Sequence, residues 1–177
     1  MILTDDRLKA MAMTNRWNGW LKRPYSVLEH TVVGAYAMDD KGMELMSVLG
    51  FLLHDVHESY IVGDVPRPDK EKYMTFGYHQ DVRAFDHRLR EEVGADEFWR
   101  DEAVKAVDYD MLVWEHWNMA TIDDPSVPSL MRHRWTINPG TYCQPTKEPS
   151  MSGSIVAFKL LFNRCVTSLE LKHPRLP

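Results

Sequence analysis

From Gly42 to about Ile61 the chain reads GMELMSVLGFLLHDVHESYI, and its first half is apolar nearly all round. Leu45, Met46, Val48, Leu49, Phe51, Leu52 and Leu53 leave no face for water, which predicts one helix at the centre of the fold. That run ends by delivering two imidazoles and two carboxylates, His54, Asp55, His57 and Glu58, toward the interior. A chain that does this has to fold around them.

The neighbouring segments also carry helical periods. Ser26 to Met38 has Val27, His30, Val33 and Ala37 at spacings of three and four, with Ser26 as N-cap and Glu29 completing a capping-box pattern. Phe76 to Val93 is charged, with Val82, Phe85 and Leu89 as an inner stripe and Gly94 as a stop signal. A helix from about Glu97 to Met119 presents Val104, Val107, Met111 and Leu112, and a last helix over 154–171 presents Ile155, Phe158, Phe162, Val166 and Leu169. Between them, 120–152 has no sustained period and holds prolines at 125, 128, 139, 145 and 149. No stretch alternates with period two. The expected class is all-α, a compact helical bundle, with 1–177 as a single domain.

Composition narrows the function classes. A formal net charge of −5 speaks against a broad nucleic-acid surface, though a local basic cluster could still hold a small anion. No apolar run approaches the roughly 20 residues of a membrane span, and Asp5 and Asp6 interrupt any signal-peptide pattern. Cys143 and Cys165 lack metal-type spacing, so both are expected as free thiols in a reducing cytoplasm.

Two further polar groups interrupt apolar stripes: His30 between Val27 and Val33, and Asp108 between Val104 and Met111. On a continuous helix, Glu58 would lie one turn beyond His54 and Asp55, so the three would converge, with His57 at the flank. Taken alone, His30 reads as a hydrogen-bonded core histidine and Asp108 as a partner for a backbone amide or a tyrosine. Taken together, they suit a divalent cation, because an uncompensated buried ion costs several kcal/mol.

The order His30, His54-Asp55, Asp108 resembles the H…HD…D pattern of the HD-domain metal-dependent phosphohydrolases. YSVLEH, FLLHDVHE followed by GDVPRP, and VDYDMLVWE resemble segments of its 5'-deoxynucleotidase branch, which includes small phage-encoded dATP triphosphohydrolases. That branch has an Arg–aromatic pair before its first ligand histidine, matched here by Arg16 and Trp17, and the likeness spans Asn15 to Glu115. The resemblance implies an HD-type bundle with one divalent transition metal ion (Co, Mn, Zn, Fe or Ni) on His30, His54, Asp55 and Asp108. It implies Glu58 as the group that orients or deprotonates the attacking water, and Asp64 as the acid or positioning group near the leaving oxygen. The spacing from Glu58 to Asp64 is one residue longer than in those relatives. Arg16 is the expected phosphate fork and Trp17 a stacking surface, with His57 touching a phosphate. Lys70, with Lys22, Arg23, Arg67 and Lys72, would hold a polyphosphate tail. Plainer roles stand beside these: a salt bridge for Arg16, core packing for Trp17, a turn for GDVPRP and solvated charges for the lysines.

The expected function is hydrolysis at the phosphorus bonded to the 5' oxygen of a deoxynucleotide, a triphosphate being favoured over a monophosphate. The partner is a small molecule, with no extended nucleic acid and no membrane, and the family implies a homo-oligomer. Alternatives are a non-catalytic nucleotide- or metal-binding module, a structural helical protein, and a cyclic-nucleotide phosphodiesterase with a two-metal site recruiting His57 or His79.

Overall fold

The computed structural model describes residues 2–60, 63–64, 76–95, 102–121, 127, 133–143 and 149–177. Among these residues the protein is all-α. The helices are α1 (Asp5–Met13), α2 (Val27–Asp40), α3 (Leu45–Leu53), α4 (Phe76–Val93), α5 (Glu102–Met119) and α6 (Met151–Ser168). Short 3-10 turns lie at Arg16–Gly19, Val56–Ser59 and Pro139–Thr141. The described residues pair as β-structure only in two isolated bridges, Asn15 with Ser26 and Leu21 with Ala120. No helix among them is long and apolar enough to cross a membrane.

Helices α2 and α3 form the centre. Helix α2 packs on α1, α3, α5 and α6, and α3 packs on α2, α5 and α6. Ser26 caps α2 by accepting from the Glu29 amide at 3.1 Å, while the Glu29 carboxylate is forked by Arg23 at 2.6 and 2.8 Å. The reciprocal half of the capping box is thereby redirected to a tertiary partner. Gly34 lets α2 and α3 touch: a Cβ there would lie 2.2 Å from the ring of Phe51, which is fully buried. Gly34→Ala is therefore expected to destabilise the protein by about 1–3 kcal/mol through overpacking. Thermal denaturation checks this, and an unchanged midpoint would contradict so close an approach.

The long helix expected from Gly42 to Ile61 is shorter than its apolar pattern. Helix α3 stops at Leu53, Asp55 has φ −111° and ψ 12°, and the chain tightens into i→i+3 bonds, Glu58 N–H to Asp55 O and Tyr60 N–H to His57 O, both 3.0 Å. The His54 ring takes the Phe51 carbonyl at 2.6 Å, the acceptor that a continued helix would present to the Asp55 amide. HDVHE is thus a turn at the end of a helix, not part of one. Ile61 lies outside the described residues.

Helix α4 coincides with the expected span, and Gly94 closes it at φ +79°. Helix α5 is described from Glu102, and its expected start near Glu97 falls outside the described residues. The last helix begins three residues early, because Ser150 accepts from the Gly153 amide. It ends three early, with Glu170 left-handed at φ +53° and the Leu171 amide reaching back to the Val166 carbonyl. Within 120–152, the described stretch 133–143 is pinned to α5: Asp110 binds His133 Nε2 and the amides of Thr136 and Ile137, each at 2.7 Å. Both cysteines are buried free thiols, and burial pushes Cys143 up to about 12 and Cys165 up to about 11. Helix α1 was not anticipated, although Thr4 caps it and Asp5 and Asp6 sit in its first turn.

Candidate metal centre

Three elements bring four polar side chains to one point. Helix α2 supplies His30, the end of α3 supplies His54 and Asp55, and α5 supplies Asp108; their ligand atoms all lie within 4.8 Å of one another. His30 Nε2 is 3.4 Å from Asp108 Oδ1 and 3.8 Å from Asp55 Oδ2. His54 Nε2 is 3.0 Å from Asp55 Oδ2 and 3.7 Å from Asp108 Oδ1. The rest of each ring is tied down elsewhere: His54 Nδ1 donates to the Phe51 carbonyl, and His30 Nδ1 lies 2.6 Å from Glu115 Oε1. Phe51 packs against both rings, with centroids 5.6 Å from His30 and 4.5 Å from His54.

The imidazoles and carboxylates of this set face one another, with Arg16 on the outer side of Asp55 at 3.3 Å. Both Nε2 atoms are buried and make no hydrogen bond of acceptable geometry. Burial favours neutral His54, but Asp55 and Asp108 outweigh it and push the imidazole up to about 10. Burial likewise opposes the charged forms of Asp55 and Asp108, yet the facing imidazoles hold both carboxyls well below the usual range. Lys105, one turn before Asp108, is paired with Glu102 at 2.7 Å. Two imidazole nitrogens and two carboxylates around one point fit a divalent transition metal. Asp108, the most exposed of the four at 25%, marks the side from which an ion or a water could enter.

Arg16 is not a free fork. Its guanidinium is buried among carboxylates, with Nε 3.1 Å from Glu115 Oε2 and Nη1 at 3.3 Å from Asp55 Oδ2 and 3.9 Å from Asp64 Oδ1. Trp17 is buried as well: its amide donates to Asp64 Oδ2 at 2.5 Å and its indole N–H to Glu115 Oε2 at 2.9 Å. These contacts hold Trp17 at φ 56° and Asn18 at φ 50°, left-handed conformations that cost non-glycine residues about 1–3 kcal/mol each. Gly63, at φ +80°, turns the chain so that Asp64 reaches Trp17.

Glu58 and His57 are buried on the 3-10 turn, and with Asp55 they form a second group whose ligand atoms lie within 4.8 Å. His57 Nδ1 faces Asp86 of α4 at 3.6 Å. Arg16 Nη1 already stands 3.3 Å from the shared Asp55, so that side of the carboxylate carries its own cation. His79 is exposed on α4 and belongs to neither group. Among the basic residues, Lys22 donates to the Asn118 carbonyl at 3.0 Å and Arg23 to Glu29, whereas Arg67, Lys70 and Lys72 lie outside the described residues.

Two buried carboxylates beside the candidate site escaped the sequence reading. Glu115 lies seven residues after Asp108, two turns along the same face, and is fully buried. Burial would raise its carboxyl, but Arg16 and His30 outweigh that and hold it below the ordinary value. Asp86 sits four residues after Val82 and three before Leu89, on the inner stripe of α4. A polar residue at an inner period is the signal that was available for both. Comparison with models of known protein families and with curated proteins finds no match.

Proposed function

We propose that this protein is a divalent-metal-dependent phosphohydrolase of the HD-domain type, cleaving the 5' phosphoester of deoxynucleotides. A deoxynucleoside triphosphate, dATP-type, is favoured over a monophosphate. The observation that carries the reading is the convergence of His30, His54, Asp55 and Asp108 with both Nε2 atoms turned toward the carboxylates. The H…HD…D resemblance supplies the reaction class.

In this reading those four residues hold the ion. When bound, such an ion polarises a phosphoryl oxygen and lowers the pKa of water. Glu58, buried beside Asp55, accepts the proton of the attacking water as its oxygen bonds to phosphorus. The bond from phosphorus to the 5' oxygen breaks, and the leaving oxygen takes up the proton that Glu58 received, by way of solvent. Asp64, paired with Arg16 and the Trp17 amide, positions that end of the site. The products are the deoxynucleoside and triphosphate, or inorganic phosphate from a monophosphate. Arg16 holds Asp55 and Asp64 in register from one guanidinium. Trp17 serves as wall rather than as an open stacking face, because its side chain is buried and anchored through the indole N–H to Glu115.

The test is a panel of deoxynucleoside mono-, di- and triphosphates with manganese or cobalt, products separated by chromatography. Release of a deoxynucleoside that stops on chelation supports the proposal. Stoichiometric metal with no turnover across the panel would overturn it in favour of a binding module.

A further inference from the structure

We infer that Glu115 is a positioning residue: it selects the nitrogen of His30 that faces the metal centre and anchors the strained Arg16–Trp17 turn to that same ligand. The inference rests on the metal reading above. Three donors or potential donors converge on one buried carboxylate. Arg16 Nε and Trp17 Nε1 both point at Oε2, at 3.1 and 2.9 Å, while His30 Nδ1 faces Oε1 at 2.6 Å. Two of these are obligate N–H donors, because neither guanidinium nor indole nitrogen can accept. The Arg16 guanidinium, a permanent cation 3.1 Å from Oε2, favours the ionised carboxylate, which offers only lone pairs, so the short contact at Oε1 calls for the hydrogen on His30 Nδ1. In the neutral ring that a metal requires, the lone pair is then at Nε2, the atom 3.4 Å from Asp108 and 3.8 Å from Asp55.

One side chain thus connects three segments far apart in sequence: His30 on α2, Glu115 on α5 and the left-handed turn at Trp17 and Asn18. A glutamine of the same shape cannot replace it. With its carbonyl oxygen on the Arg16–Trp17 pair, its NH₂ would donate to His30 Nδ1 and move the ring hydrogen to Nε2; turned round, its NH₂ would meet the N–H groups of Arg16 and Trp17.

The experiment titrates cobalt into the wild-type protein and Glu115→Gln, following visible absorbance, with circular dichroism to check folding. A folded Glu115→Gln is expected to bind cobalt about 10- to 100-fold more weakly, the usual effect of losing a partner behind a metal-bound imidazole. A folded variant with affinity within about twofold of wild type would overturn the inference, since a merely structural role would leave affinity unmoved. Histidine ¹⁵N NMR of the wild-type protein at pH 8, assigned by comparison with His30→Asn, decides independently. A proton at Nδ1 of His30 with none at Nε2 supports the inference and a proton at Nε2 overturns it, even if Glu115→Gln fails to fold. Failure of the wild type to take up cobalt would sink the metal reading and leave the tautomer measurement to decide the role of Glu115.

Discussion

Asp108→Ala should lose its metal and its turnover together. Structural zinc in four-ligand zinc-finger peptides binds with roughly 10–16 kcal/mol; on that scale one ligand in four is worth about 3 kcal/mol, and its removal should weaken cobalt binding about a hundredfold. The same change at Asp55 is less clean, because Asp55 is also a partner of Arg16 at 3.3 Å, and its loss mixes metal affinity with ion pairing. Asp108 comes from a different helix, and its contacts to the centre are with the two imidazoles. Direct titration with cobalt and elemental analysis after dialysis are the measurements. Chelation of the wild type should abolish product release, and added manganese or cobalt should restore it, whereas Asp108→Ala should stay inactive at metal concentrations that saturate the wild type. Equal cobalt affinity in wild type and Asp108→Ala would remove α5 from the ligand set, and with it the three-helix construction of the site.

The quartet was legible because each member breaks an apolar period. His30 and Asp108 stand where a helix of that spacing calls for a hydrophobe, and such a substitution needs a compensating partner. Glu115 breaks the period in the same way, yet it sits beside Trp114 and His116 near the end of α5, where polar residues are common and the signal is diluted. Asp86 is hidden for a similar reason, in a helix whose overall character is charged.

The end of α3 was not legible at all. No glycine or proline follows Leu53 until Gly63, so the apolar run predicts continuation. What ends it is a side chain, His54, capturing the Phe51 carbonyl, and that event depends on a ring held by its surroundings. The left-handed pair Trp17 and Asn18 is invisible for the opposite reason. Asn18-Gly19 tolerates it, but a tryptophan disfavours it, and the contacts of Trp17 with Asp64 and Glu115, 47 and 98 residues away, hold it there. Local patterning therefore pointed to the four residues that converge, His30, His54, Asp55 and Asp108, while tertiary contacts decided how the backbone presents them.

Arg16→Ala should be the most destabilising change near the site. The guanidinium stands within 4 Å of Glu115, Asp55 and Asp64, with only 9% of its side chain exposed. Burial works against its charge, but those acids and Glu58 raise its pKa well above the ordinary value, so it stays protonated throughout the working range. Removing one partner of a buried ion pair commonly costs about 3–5 kcal/mol, because the remaining charge is left uncompensated. For a chain of this size that corresponds to a fall in melting temperature of about 10 °C. Arg16→Lys restores the charge but not the planar fork, so it should recover part of the loss without rejoining Glu115 to Asp55. Thermal denaturation of both variants without added metal isolates this effect from the ligand set. A wild-type melting temperature in Arg16→Ala would mean that another cation neutralises Glu115, Asp55 and Asp64, and the Arg16 side chain would then be available for the phosphate role that the Arg–aromatic pair suggests.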